Sequence, residues 1–253
     1  MKLICSLYLI LLVCTISNQS VGQVSSADST FLLTATVYLN QKYINSTDSE
    51  IQIYNGKEYI NYDKYYLKGH PFFKSSEEQE GAVFYEDNLF TKISLLYDVV
   101  LDQIIISEPN GFLQFKLENQ KVNYFKLHEH LFIHLNTDSV SNSSLRPGFY
   151  NLLSNGKTKV MARRTKRIVE DATPRGMEGE FLSEDKFFIR KNNQYYPVSN
   201  KKTILKVFND SKKELQKYSR NQRLIFKKEN RESSLIKLVQ YYDMLPARIP
   251  ETN

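Results

Sequence analysis

From Thr91 to Leu135 apolar and polar positions alternate in short runs, and turn chemistry breaks the runs at short intervals. A period near two predicts strands. The stretch therefore reads as the middle of an antiparallel meander. Thr91–Ser107 is longer than an ordinary strand of about 5–6 residues, which places a turn or bulge near Asp98–Asp102. Glu108-Pro109-Asn110-Gly111 and Glu118-Asn119-Gln120 turn the chain again. Asn155-Gly156 predicts a hairpin, because Asn-Gly supplies the positive φ values of a type I′ turn, and Asn192-Asn193-Gln194 predicts another. The same dipeptide at Asn55-Gly56 predicts a hairpin between Ile51–Tyr54 and Lys57–Ile60, or else ends one strand and opens a loop, since Tyr59–Tyr66 lacks clean alternation. Val169–Glu180, with Pro174 and two glycines, reads as a loop.

At Ser199 the period changes to that of helices. Ile204, Leu205 and Phe208 mark a short helix capped by Ser199 or Asn200. Asp210 or Ser211 opens a second, with Glu214 placed to complete a capping box with Ser211. Leu235, Leu238 and Val239 mark the inner face of a third helix, opened by Asn230. Near the N-terminus, Leu32, Ala35, Leu39 and Tyr43 suit a helix, while Thr34, Thr36 and Val37 are β-branched and argue for strand; helix is preferred. The expected fold is α+β: a curved antiparallel meander, open sheet or half-barrel, with a short N-terminal helix and a C-terminal helical segment laid on the sheet. The expected divisions are 1–22, 23–30 (flexible), 31–198 (β domain), 199–246 (helical) and 247–253 (tail).

Residues 1–22 carry a positive start at Lys2, an apolar run, and small residues before Gln23, which is the pattern of a secretory signal. Both cysteines, Cys5 and Cys14, lie inside it. The mature chain then has no disulfide, and its stability must come from the core. No later stretch is long and apolar enough to span a bilayer as a helix. The net charge of +6 is uneven. Residues 199–253 hold 13 Lys and Arg against 6 Asp and Glu, whereas 23–198 are slightly acidic. A basic tail meets nucleic acid, anionic lipid or an acidic polymer, or simply solvates a helical face. Export disfavours nucleic acid.

Several side chains could carry chemistry. His128, His130 and His134 share strand parity and could hold a zinc or copper ion; an exposed strand face is the plainer reading. Asp98 and Asp102 could act as the acid and base of a hydrolase, but carboxylates at a bend are more often turn-formers. Arg163, Arg164, Lys166 and Arg167 form a compact basic patch, suited to an acidic polymer or, more simply, to guarding an edge strand. The many Tyr and Phe residues either fill a core or line an apolar cavity in the curved sheet. Nucleophile elbows, phosphate-binding loops and His-Glu-x-x-His helices are absent, and no cofactor is expected.

Three groups of residues resemble an uncharacterised family of exported proteins from Bacteroidota. They are Tyr54-Asn55-Gly56…Tyr59 with Gly69-His70-Pro71-Phe72-Phe73; Leu95-Leu96-Tyr97-Asp98…Asp102; and Lys201-Lys202…Lys213-Glu214-Leu215…Lys217-Tyr218…Tyr241-Tyr242-Asp243. The resemblance covers nearly the whole mature chain and implies a periplasmic or cell-surface location, with no activity or site residues to carry over. The order of elements is also similar to periplasmic lipoprotein-carrier half-barrels. The expected function is a non-enzymatic binding or scaffold module of the envelope, monomeric, partnered by an envelope protein. A carrier for an apolar ligand is the alternative, and a hydrolase a distant third.

Overall fold

A computed structural model describes residues 52–109, 113–136 and 145–246. The expected signal segment, leader, N-terminal helix and C-terminal tail lie outside the described residues. So do Asn110-Gly111 and most of the Ser/Asn loop before Pro147.

Fourteen strands are described. They are β1 (Lys57–Glu58), β2 (Leu67–Lys68), β3 (Gln79–Tyr85), β4 (Asn88–Asp98), β5 (Gln103–Ser107), β6 (Gln114–Lys116), β7 (Val122–Leu127), β8 (His130–Leu135), β9 (Gly148–Asn155), β10 (Lys159–Arg163), β11 (Lys166–Thr173), β12 (Gly176–Ser183), β13 (Lys186–Lys191) and β14 (Gln194–Val198). Eleven form an open antiparallel sheet in the order β1-β6-β5-β4-β3-β7-β8-β9-β10-β13-β14. The other three form a small sheet in the order β11-β12-β2.

The large sheet curls. The turn after β4 and the end of β10 are five strand positions apart, which is about 24 Å on a flat sheet. Yet Asp102 Oδ2 lies 3.2 Å from Arg163 Nη2. Tyr97 on β4 and Phe149 on β9 bring their ring centroids within 5.9 Å. A single backbone bond, Lys166 N–H to Val99 carbonyl at 3.4 Å, crosses the same gap. The ladder stays open while side chains clasp its rolled margin.

The concave face is filled by rings. Phe125 and Phe132 stack at 4.6 Å, and Tyr97 and Phe149 meet them edge-on. All four are buried, together with Val83, Leu95, Ile104 and Ile106. Leu96 and Ile105 point the other way and pack with Tyr59 and Phe72. The change of face from Leu95 to Leu96 is the period-two pattern of β4 expressed in packing.

Three helices follow: α1 (Lys201–Val207), α2 (Lys212–Asn221) and α3 (Arg231–Met244). Asn200 caps α1, and Thr203 completes a capping box with it. Ser211 precedes α2 but makes no side-chain cap bond, so the capping box with Glu214 does not form. Ile204, Leu205, Phe208, Leu235 and Leu238 are buried as expected, against Val160, Phe187 and Ile189 of the sheet. Among the described residues no helix is long and apolar enough to cross a membrane.

Two local expectations fail. The segment before Asn55-Gly56 is a 3-10 turn (Gln52–Tyr54), and Lys57–Glu58 pairs with Phe115 and Lys116 instead. Just beyond β1, the Tyr59 hydroxyl donates to buried Asp98 at 3.1 Å, a long-range bond that competes with the local hairpin. Val169–Glu180 is not a loop. Pro174 and Arg175 form a two-residue turn between β11 and β12, whose register runs unbroken from Lys166↔Ser183 to Thr173↔Gly176.

Candidate functional site

The helices bury Ile204 and Leu205 of α1, Phe208 at its C-cap, and Leu215 and Ser219 of α2. With 3.6 residues per turn, this turns Lys212, Gln216 and Arg220 outward in one stripe at a spacing of four. Lys202 and Lys206 share the corresponding spacing on α1. The stripes flank a groove of about 730 Å³ lined by Lys201, Lys202, Leu205, Lys206, Asn209, Lys212, Gln216 and Arg220. Five of these eight residues are cations, and none is acidic. Leu205, Gln216 and Asn209 supply the only neutral lining. Lys202, Lys206, Lys212 and Arg220 are exposed.

Among the described residues none of the five cations is in a salt bridge, whereas Lys64, Lys121, Arg164 and Lys191 each are. Lys212 occupies the first position of α2. There the helix dipole is already positive, so the cation adds to that field instead of offsetting it. The groove thus gathers five cations that pair with no acid among the described residues, between walls formed largely by apolar side-chain stems, with Asp210 and Glu214 nearby on the same segment. A field of this sign draws anions toward it.

The basic patch expected at Arg163, Arg164, Lys166 and Arg167 does not form as one surface. Arg163 bonds Asp102 and the carbonyls of Arg146 and Pro147. Arg164 is buried and divides its guanidinium among Asn151, Asp185 and Glu232. Lys166 gives its ammonium to the carbonyls of His70 and Phe72, both at 2.7 Å. Arg167 pairs with Glu184. The chain leaves β10 and enters β11 of the other sheet within this run, so adjacent residues diverge to different partners.

Among the described residues no group of three or more His, Cys, Asp or Glu side chains could hold a metal ion. His128 sits in the β7–β8 turn at φ 50°. His130 and His134 both lie on β8, four residues and therefore about 13 Å apart. They share the aromatic face: His130 meets Phe73 at 5.1 Å, and His134 meets Phe149 at 4.9 Å. Burial lowers both imidazoles below the ordinary histidine range. The histidine face expected to be exposed is the core face.

Asp98 and Asp102 are divided in the same way. Asp98 Oδ1 accepts the N–H groups of Val100 and Leu101, an Asx turn that shapes the β4–β5 bend. Its Oδ2 accepts the hydroxyls of Tyr59 and Tyr62. Asp102 takes the Tyr97 hydroxyl at 2.6 Å and Arg163 at 3.2 Å. Burial raises the Asp102 carboxyl against the opposing pull of Tyr97 and Arg163. Each carboxylate is filled by its own donors, and the pair does not face a shared cleft.

A second cleft of about 360 Å³ contains Phe73, Lys74, His130, Arg164, Lys166, Asp185 and Glu232. Its Arg164 and Lys166 are engaged in the bonds above, so it is the seam between the sheet and α3. The groove lysines were visible in sequence only as the charge of the tail. The spacings 202/206 and 212/216/220 were the sharper signal, and which stripes face one another depends on helix packing. No protein-family model, curated protein or solved structure matches the chain.

Proposed function

We propose that the protein is a non-enzymatic binding module of the cell envelope whose α1–α2 groove holds a linear acidic polysaccharide. The observation that carries the reading is the groove itself, with five cations, no acidic lining residue and no ion pair among the described residues. A groove between two helices can receive a chain that lies along it. Its size is within the ordinary range of ligand sites, about 300–1,000 Å³. The envelope location rests on the signal-like residues 1–22 and makes a polysaccharide a more accessible polyanion than nucleic acid.

Other features favour binding over catalysis or apolar transport. Asp98, Asp102 and Arg164 are consumed by structural bonds, and His130 and His134 are partly buried against Phe73 and Phe149. The concave face of the sheet is occupied by Tyr97, Phe125, Phe132 and Phe149, so the place where an apolar ligand would sit is filled.

Heparin oligosaccharide and phosphatidylglycerol vesicles serve as probes in a fluorescence titration at several salt concentrations. Neutralising five charges of a single-stranded polyanion predicts a slope of log affinity against log salt of roughly −3.5. Binding to vesicles but not to heparin would replace the polymer with a membrane. Binding to neither at low salt would remove the proposal.

A further inference from the structure

Among the described residues the two sheets end at four strands, and one of these edges is built differently. The large sheet ends at β1, only two residues long, and at β14, which carries Pro197. Short strands and edge prolines both discourage pairing with another chain. The small sheet ends at β2, also two residues long, and at β11, eight residues with no proline and no bulge. Neither β11 nor β12 contains a buried residue, so the hairpin projects with little core beneath it. The Lys166 N–H bonds Val99 and so points away from β12. By the alternation of an antiparallel ladder, the backbone groups of Ile168, Glu170 and Ala172 also point away from β12.

We infer that the β11 edge pairs with the β11 edge of a second copy of this chain, antiparallel about a two-fold axis at Val169. The charges along the strand are self-complementary in that register. A two-fold axis normal to the sheet keeps every side chain on its own face, so opposed residues must have the same parity. Centring on Val169 sets Arg167 opposite Asp171 twice, with the two valines between them. Arg167 is half exposed and bonds Glu184 through Nε alone, and the Asp171 carboxylate is exposed with no bond among the described residues. Centring on Ile168 would instead pair Lys166 with Glu170. Lys166 is committed to His70 and Phe72, and Glu170 to Lys64 and Tyr66. Centring on Glu170 would oppose two like charges.

Lys166 and Arg167 alone would guard an edge. Followed by Glu170 and Asp171, the same strand admits its own copy, and this revises the expectation of a monomer. With the Lys166 N–H taken by Val99, the free edge is shorter than the eight-residue strand and falls short of a standard interface of about 1,600 Å², so the dimer dissociates on dilution.

Sedimentation velocity of the mature full chain over a wide concentration range tests the inference. The wild type shows a reversible monomer–dimer equilibrium. Arg167→Asp and Asp171→Arg each weaken self-association at least about tenfold, since both cross-strand pairs become repulsive. An equimolar mixture of the two variants associates like the wild type, because each supplies the charge the other lacks. The double variant Arg167→Asp/Asp171→Arg also recovers. A wild type that stays monomeric at its solubility limit would overturn the inference, as would single variants that dimerise normally or a mixture that stays monomeric.

Discussion

Replacing Arg164 with methionine isolates the joint between the sheet and α3. Arg164 is only 8% exposed at its side chain and makes four hydrogen bonds. Nε and Nη2 reach Asn151 Oδ1 at 3.2 and 2.8 Å, and Nη1 reaches Asp185 and Glu232 at 2.7 Å each. Methionine keeps much of the volume and removes every bond. Asn151 is fully buried, so its stranded oxygen costs about 1–3 kcal/mol. Asp185 and Glu232 are 31% and 33% exposed. Water therefore relieves part of their repulsion, and their share is about 1–2 kcal/mol, below the ~3–5 kcal/mol of a fully buried broken pair. The total is about 3 kcal/mol. In urea, at a slope of about 2–3 kcal/mol per molar, the unfolding midpoint falls by roughly 1–1.5 M. Adding Glu232→Gln to Arg164→Met removes one of the two facing carboxylates, so the double variant loses less than the sum of the singles. A midpoint shift below about 0.3 M for Arg164→Met, or strict additivity, would refute the view that this guanidinium fastens α3 to the sheet.

Gly148 has φ 133°, and a Cβ there would collide with Asp102 Oδ2 and come within 3.0 Å of Arg163 Nη2. Gly148→Ala should cost about 2 kcal/mol or more by thermal unfolding, and an unchanged melting temperature would show that the clasp does not bear on the fold. Burial lowers His70, His130 and His134; Lys74 and Arg164 lower His130 further, while Glu129 and Asn151 oppose, and Asp102 opposes for His134. Their folded values lie below the unfolded ~6.5, so this stability is present above that pH and is lost as pH falls through the folded values. Urea midpoints should decline on acidification from neutrality, and His134→Phe should make the decline shallower; an equally steep decline in that variant would contradict the assignment. Asp243 accepts the N–H of buried Thr158 at 3.0 and 3.2 Å and ties the end of α3 to the β9–β10 turn. Asp243→Ala should cost about 1–2 kcal/mol and raise amide exchange at Thr158, and unchanged exchange would show the tie to be weak.

Much of the fold was legible where local chemistry and tertiary demand agree. Asn192-Asn193 form the hairpin turn their residues favour, both at positive φ; Asn155-Gly156 also lies at a hairpin, but Asn155 pairs with Lys159 and neither residue takes positive φ, so the connection is a three-residue loop and not the expected type I′ turn. The bend at Asp98–Asp102 follows from an excess of apolar length and is shaped by the Asp98 carboxylate. Asn55-Gly56 carries the same turn signal yet forms no hairpin, because Lys57 and Glu58 pair with β6 across the sequence and Tyr59 is drawn to Asp98. β11–β12 was missed because alternating charges and two glycines look like loop until the strands pair. The basic run at Arg163–Arg167 shows the limit most clearly. Its compactness in sequence predicted one patch, but a change of sheet within the run sends each cation to a different partner. The groove on α1 and α2 is the converse, since its cations are dispersed in sequence and gathered by packing.

The proposal that the groove itself binds a polyanion is tested most directly by moving the same charge change in and out of it. Lys206→Glu/Lys212→Glu lies within the groove, and Lys227→Glu/Lys228→Glu alters the same basic segment at exposed positions outside its lining. Titration of heparin oligosaccharide at fixed salt should show a loss of about tenfold or more for the groove pair and about twofold or less for the outside pair. Equal losses would mean that net charge, not the groove, attracts the polymer, and the central claim would fail.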